Sequence, residues 1–121
     1  MEGLLDPLRR QQTSRTTAKL LNAFELMRLM DREIPGQLVS AFLYIASHNP
    51  CHKQAMEEDL GFKVSSGSRT TDWLSNYHRL GKPGLGLIKK AQDPTNRRRV
   101  LLELTPKGEA LIKQMKEHIY E

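Results

Sequence analysis

The sequence predicts a mainly α-helical fold with one β-hairpin, an α+β arrangement, on three observations. Apolar residues recur at three- and four-residue steps over most of the chain. The stretch 85–104 breaks that period with short β-compatible runs around a turn-forming segment. Proline, glycine and asparagine fall between the periodic segments, where chain reversals belong. A length of 121 residues fits one compact domain, expected over 16–121 behind a flexible arm over 1–15. With 38% hydrophobic and 27% charged residues, the core should be modest. No apolar run reaches 18 residues, so no membrane span is expected. The first residues lack the basic start and apolar stretch of a secretory leader. One cysteine, Cys51, precludes an internal disulfide and suits a reducing compartment, so a cytoplasmic location is expected.

A first helix is expected over 16–33, where Leu20, Ala23, Phe24, Met27 and Met30 build an apolar stripe. Leu21, Leu26 and Leu29 broaden it, which fits packing on two sides, one of them a second subunit. Ile34-Pro35-Gly36 interrupts that helix. A second, mostly apolar and therefore central helix follows to Ser47, stopped by Asn49-Pro50. A short helix over 52–60 turns Ala55, Met56 and Leu60 inward and ends at Gly61. Ser65-Ser66 reads as the N-cap of a fourth helix over 66–80, with Trp73, Leu74, Tyr77 and Leu80 on its inner face. Gly81-Lys82-Pro83-Gly84 ends it. Strands are expected over 85–90 and 99–104, joined through the turn residues Asp93-Pro94-Thr95-Asn96, with Val100, Leu102 and Leu104 on one face. Thr105-Pro106 then caps a last helix with Leu111, Ile112, Met115 and Ile119 in its stripe. Helices joined by a tight turn and followed by a hairpin describe a winged helix-turn-helix.

Charge is distributed unevenly. Residues 61–99 carry 9 basic and 2 acidic side chains, while 1–60 carry 7 and 8 and 100–121 carry 3 and 4. The whole formal excess of +5 therefore arises in one third of the chain, which favours a polyanionic partner. Within it, the fourth helix offers Ser65, Ser66, Ser68, Arg69, Thr70, Thr71, Ser75, Asn76 and Arg79 with Asp72 as its only acid. Such groups match the donors and acceptors of a DNA major groove, although an ordinary amphipathic helix also has a polar outer face. Arg97, Arg98 and Arg99 sit at or just past the hairpin tip, a placement suited to a minor groove. A solvated basic turn would show the same residues. Asp93, at the base of the loop, is placed to pair with one of these arginines and brace the wing.

Asp93-Pro94-Thr95-Asn96-Arg97-Arg98, followed by Val100 and by Leu104-Thr105-Pro106-Lys107-Gly108, resembles the wing of the MarR family, an Asp-Pro-x-Asp-x-Arg loop before a strand and Leu-Thr-x-x-Gly. Ile34-Pro35-Gly36-Gln37 resembles that family's approach to its second helix, and Ser65-Ser66-Gly67-Ser68 the start of its recognition helix. The resemblance covers about 16–120; Asn96 stands where the family usually has a second aspartate, and the connector 80–86 is longer than usual. It implies a sequence-specific transcriptional regulator, a homodimer on a pseudo-palindromic duplex operator. The helix 66–79 would read the major groove, the wing 91–99 would reach the minor groove through Arg98, and Asp93 would brace the wing. With one short helix after the wing, the dimer interface is expected to use Leu20, Phe24, Met27, Leu111, Met115 and Ile119.

His48, Cys51, His52 and Glu57 are ligand types, but their spacing matches no standard zinc pattern, so no metal or other cofactor is expected. Lys53 beside Cys51 leaves a redox-responsive thiol as an alternative. No nucleophile–base pair or phosphate-binding glycine loop is recognisable, so no enzymatic activity is expected. No residue set identifies a small-molecule effector. The main rival reading is a winged-helix adaptor that binds polymerase or another acidic protein; a zinc- or redox-responsive repressor is a third.

Overall fold

The computed structural model describes residues 10–76 and 80–121. Among them the order is α1 (Arg15–Met30), α2 (Gly36–Ser47), β1 (Cys51–His52), α3 (Lys53–Leu60), α4 (Val64–Leu74), β2 (Ile88–Asp93), β3 (Asn96–Leu104) and α5 (Pro106–Tyr120). The three strands form one antiparallel sheet in the order β1-β3-β2.

Ser14 caps α1, its hydroxyl accepting from the Thr17 amide at 3.2 Å. The helix stops at Met30, three residues short of the expected end. Asp31 is extended, its carboxylate accepts the Glu33 amide at 2.9 Å, and its carbonyl accepts the Ile34 amide at 3.0 Å. This aspartate-centred turn competes with one more helical turn and wins just before Pro35. Pro35 then flanks α2, which buries Leu38, Val39, Ala41, Phe42 and Ile45 and is the central helix expected. Gly61, at φ 69°, ends α3 in the left-handed conformation as its sequence position predicts.

The fourth helix differs from expectation at both ends. It begins at Val64, flanked by Lys63 with no side-chain cap, so Ser65 and Ser66 lie inside the first turn. It ends at Leu74 because the connector folds back onto it. The amides of Leu85, Leu87 and Gly86 donate to the carbonyls of Trp73, Leu74 and Ser75 at 2.8, 2.8 and 2.6 Å. Those carbonyls are the groups a helix end leaves without internal partners. Leu80, expected on the inner face, is 68% exposed, and Tyr77 lies outside the described residues. The same contacts move the first hairpin strand from 85–90 to Ile88–Asp93, since Leu85 and Leu87 are buried beside the helix end rather than in the sheet.

The hairpin closes on a two-residue loop, Pro94-Thr95, between paired Asp93 and Asn96, with a register irregularity at Gln92/Asp93. Val100, Leu102 and Leu104 share the inner face as expected. The strand β1 went unforeseen; two residues pairing Cys51 with Leu102 and His52 with Leu101 leave no periodic signal. Thr105 caps α5 by accepting the Gly108 amide at 3.1 Å, and its own hydroxyl donates to the Gly86 carbonyl at 2.6 Å. At Gly108 the helix rests on the chain before β2; a Cβ there would overlap the Leu87 carbonyl.

The buried side chains form one cluster centred on Met27, Phe42, Ile45, Met56, Leu87 and Leu102. Ala23 and Met27 of α1 and Leu111 and Met115 of α5 belong to it. Lys19 Nζ donates to the backbone oxygen of Glu121, so the start of α1 lies by the end of α5.

Candidate nucleic-acid interface

The inner face of α4 follows the helical period through Gly67, Thr70, Thr71 and Leu74, all buried. Gly67 lies against the Glu57 side chain, whose carboxylate pairs with Lys53 Nζ at 2.5 Å in a nearly buried ion pair. Thr71 Oγ1 donates to the Gly67 carbonyl at 2.8 Å, and Ser75 Oγ donates to the Asp72 carbonyl at 2.9 Å. Thr70, Thr71 and Ser75 are thus turned inward, 5%, 0% and 6% exposed, and are corrected from groove-facing candidates to interior ones. Intrahelical back-bonding lets threonine and serine sit inside without an unpaired hydroxyl.

Ser65, Arg69 and Asn76 are exposed, and Ser66 and Ser68 are half-buried beside them. Arg79 lies outside the described residues. Val64 stands 71% exposed at the start of the helix. Asp72, the acid of this face, is paired with Lys90 Nζ of β2 at 2.7 Å. That pair neutralises the one group that would repel a polyanion, and it ties the polar side of α4 to the hairpin. Lys90 had not been singled out from sequence; its strand position becomes informative only once the register with α4 is known.

Arg97, Arg98 and Arg99 are all exposed on the outer part of β3. Alternation along a strand sends Arg98 to the face opposite Arg97 and Arg99. Among the described residues none of the three takes part in an ion pair, so their charge is available to a partner. Asn96 Oδ1 accepts the Arg98 amide at 3.1 Å and shapes the loop.

Asp93 does not pair with an arginine. Its Oδ2 lies 2.7 Å from His52 Nε2, and its Oδ1 accepts from both the amide and the hydroxyl of Thr95 at 2.8 Å. Hydrogen bonding from His52, then from the Thr95 amide and hydroxyl, holds the carboxyl down at about 2. The partner sits 41 residues upstream, too far for sequence spacing to reveal.

The surroundings of Cys51 depart from the redox expectation. Burial pushes its thiol pKa up, and Lys53 is engaged with Glu57. Among the described residues no three His, Cys, Asp or Glu side chains converge as a metal site. Tyr44 donates to Asp59 at 2.6 Å and is pushed up to about 12 by that bond, burial and the Asp59 charge, which joins α2 to α3. No described helix is long and apolar enough to cross a membrane.

Of the six residues expected at a dimer interface, Met27, Leu111 and Met115 are buried in the chain's own core, between α1 and α5, and are corrected accordingly. Leu20, Phe24 and Ile119 remain exposed, accompanied by Leu21, Leu29 and Tyr120.

Several solved structures share this architecture. A cysteine-to-serine mutant of MarR from E. coli, complexed with operator DNA, is 19% identical over 98% of this chain and 78% of its own, at a TM-score of 0.62. The transcriptional regulator Tm0710 from Thermotoga maritima is 20% identical over 86% of this chain and 66% of its own, at 0.66. RV1404 from Mycobacterium tuberculosis is 25% identical over 87% and 67%, at 0.64. The chain thus spans roughly two thirds to four fifths of the length of these structures. No protein-family model and no curated protein matches it. The class defined by helices, hairpin and these likenesses is the winged helix-turn-helix. Within that class, the fold is the MarR type.

Proposed function

We propose that the chain is a dimeric, sequence-specific regulator of transcription that binds duplex DNA. The observation that carries this reading is the joining of two surfaces: the Ser65, Ser68 and Arg69 side of α4, with Asn76 just past its end, and the arginine-bearing hairpin, linked by Asp72–Lys90. In this reading α4 lies in the major groove, where Arg69, and Asn76 in the turn after the helix, reach base edges and the serines reach phosphates or bases. Arg97, Arg98 and Arg99 enter the adjacent minor groove. The operator complex of the E. coli structure supports the partner class. The exposed apolar residues Leu20, Phe24 and Ile119 supply the face for a second copy, and two copies call for a pseudo-palindromic site.

The test is selection of bound duplexes from a random pool, followed by a salt series on the winner. A symmetric motif is expected. Replacing Arg97 and Arg98 by alanine should lower the slope of log affinity against log salt by about 2 per protomer and weaken binding about ten- to a hundredfold. Absence of any retained duplex at low salt, or an affinity indifferent to salt, overturns the reading.

A further inference from the structure

His52 lies outside both DNA-facing surfaces, yet it connects the helical body to the wing. Its backbone belongs to β1, paired with Leu101 of β3 immediately before α3. Its ring reaches across to Asp93, the last residue of β2, where Nε2 and Oδ2 are 2.7 Å apart. The other carboxylate oxygen of Asp93 holds the Thr95 amide and hydroxyl, so one chain of hydrogen bonds runs from β1 into the loop. Residues 94–99 are exposed throughout, so apolar packing does not direct this part of the hairpin. An unsupported two-stranded ribbon is marginally ordered in water. The hydrogen bonds of Asp93 are the polar contacts that reach this outer part of the hairpin from the helical body.

We propose that His52 is the positioning residue of the wing: acting through Asp93, it fixes the direction in which Arg97, Arg98 and Arg99 are presented. This rests on the DNA-binding reading for its consequence, but not for the anchor itself. Imidazole Nε2–H donates to a carboxylate both as imidazolium and as the matching neutral tautomer. The carboxylate in turn orders the loop.

The experiment uses the full chain and five variants: His52→Ala, His52→Gln, Asp93→Asn, and Arg97→Ala/Arg98→Ala with and without His52→Ala. Native-state trypsin cleavage after the wing arginines is followed by mass spectrometry, beside thermal melting and affinity for the selected duplex. His52→Ala should speed wing cleavage about tenfold without comparable change at other sites, as expected when only a local segment opens. Duplex affinity should fall about fivefold or more, and that loss should shrink markedly in the Arg97→Ala/Arg98→Ala background, where only Arg99 remains to be positioned. Glutamine carries an amide N–H to about the same place and should restore both readouts. Asp93→Asn should repeat the alanine effects, which keeps the test open if one variant folds poorly. Unchanged wing cleavage, an affinity loss equal in both backgrounds, or no rescue by glutamine overturns the proposal. Failure of the DNA-binding reading shows separately, as a wild type that binds no duplex while trypsin still separates the variants.

Discussion

Asp93 shows how one residue takes its role from partners remote in sequence. Its place in a turn was readable from Asp93-Pro94-Thr95-Asn96, and the Thr95 contacts follow from that local chemistry. Its contact with His52 was not readable, because a short β1 strand brings the ring there. The carboxyl, normally near 4 in an unfolded chain, is held at about 2 in the fold. A lowered carboxyl contributes stability above its unfolded pKa and loses it as pH falls through the folded value. Wild-type stability should therefore fall more steeply between about pH 4 and 2 than that of Asp93→Asn, measured by denaturant unfolding across that window. Equal slopes would mean that the hydrogen bonds do not persist in solution. Gly67 is a second case. A Cβ there would overlap the Glu57 side chain, which Lys53 holds in place. Gly67→Ala should lose about 1–3 kcal/mol of stability despite the better helix propensity of alanine. A gain in melting temperature would refute that packing.

Among the elements, α4 was found by its pattern but misjudged in its ends and its rotation. The inward set Gly67, Thr70, Thr71 and Leu74 obeys the helical period, yet two of its four members, the threonines, are not conventional core residues. Apolar periodicity alone pointed to Trp73, Leu74, Tyr77 and Leu80; Leu74 is buried and Trp73 packs against the core, while Leu80 is exposed and the threonines were missed. Threonine becomes an interior residue only when its hydroxyl finds a carbonyl, as Thr71 finds Gly67. The consequence is a division within the helix. Arg69→Ala should cost about 1–3 kcal/mol of duplex binding and relax preference at one base position per half-site. Thr71→Ala should leave base preference unchanged and lower thermal stability. A shift in the selected motif with Thr71→Ala would contradict the inward placement. The existence of the hairpin and the start of α5 were legible because their signals are local, turn residues, alternation and a threonine–proline cap, although the first strand lies three residues later than expected.

At the scale of the molecule, α1 serves two surfaces. Ala23 and Met27 complete the core with α5, while Leu20, Leu21, Phe24 and Leu29 face out. The breadth of the apolar stripe was visible in the sequence; one side of it packs in the core, and the other is the face proposed for a second copy. Which residue belongs to which side depends on how α5 crosses α1. The two sides separate experimentally. Leu20→Glu with Phe24→Glu should convert a dimer to a monomer on sedimentation while changing monomer stability little. Met27→Ala should cost about 2–5 kcal/mol of stability, the usual range for emptying a buried methionine. A Leu20/Phe24 double variant that sediments like the wild type would remove the proposed second-copy face.

The sequence by itself determined the succession of helices, the hairpin with its basic arm, the caps at Gly61 and Thr105, and the concentration of positive charge in 61–99. Each is written in neighbouring residues, through periodicity, backbone preference or simple charge. The tertiary structure alone decided that α4 ends at Leu74, that Thr70, Thr71 and Ser75 turn inward, that Lys90 answers Asp72, and that His52 rather than an arginine holds Asp93. The common reason is that hydrogen bonds and ion pairs between distant segments depend on which chains are brought within about 3 Å, and no local propensity encodes that distance.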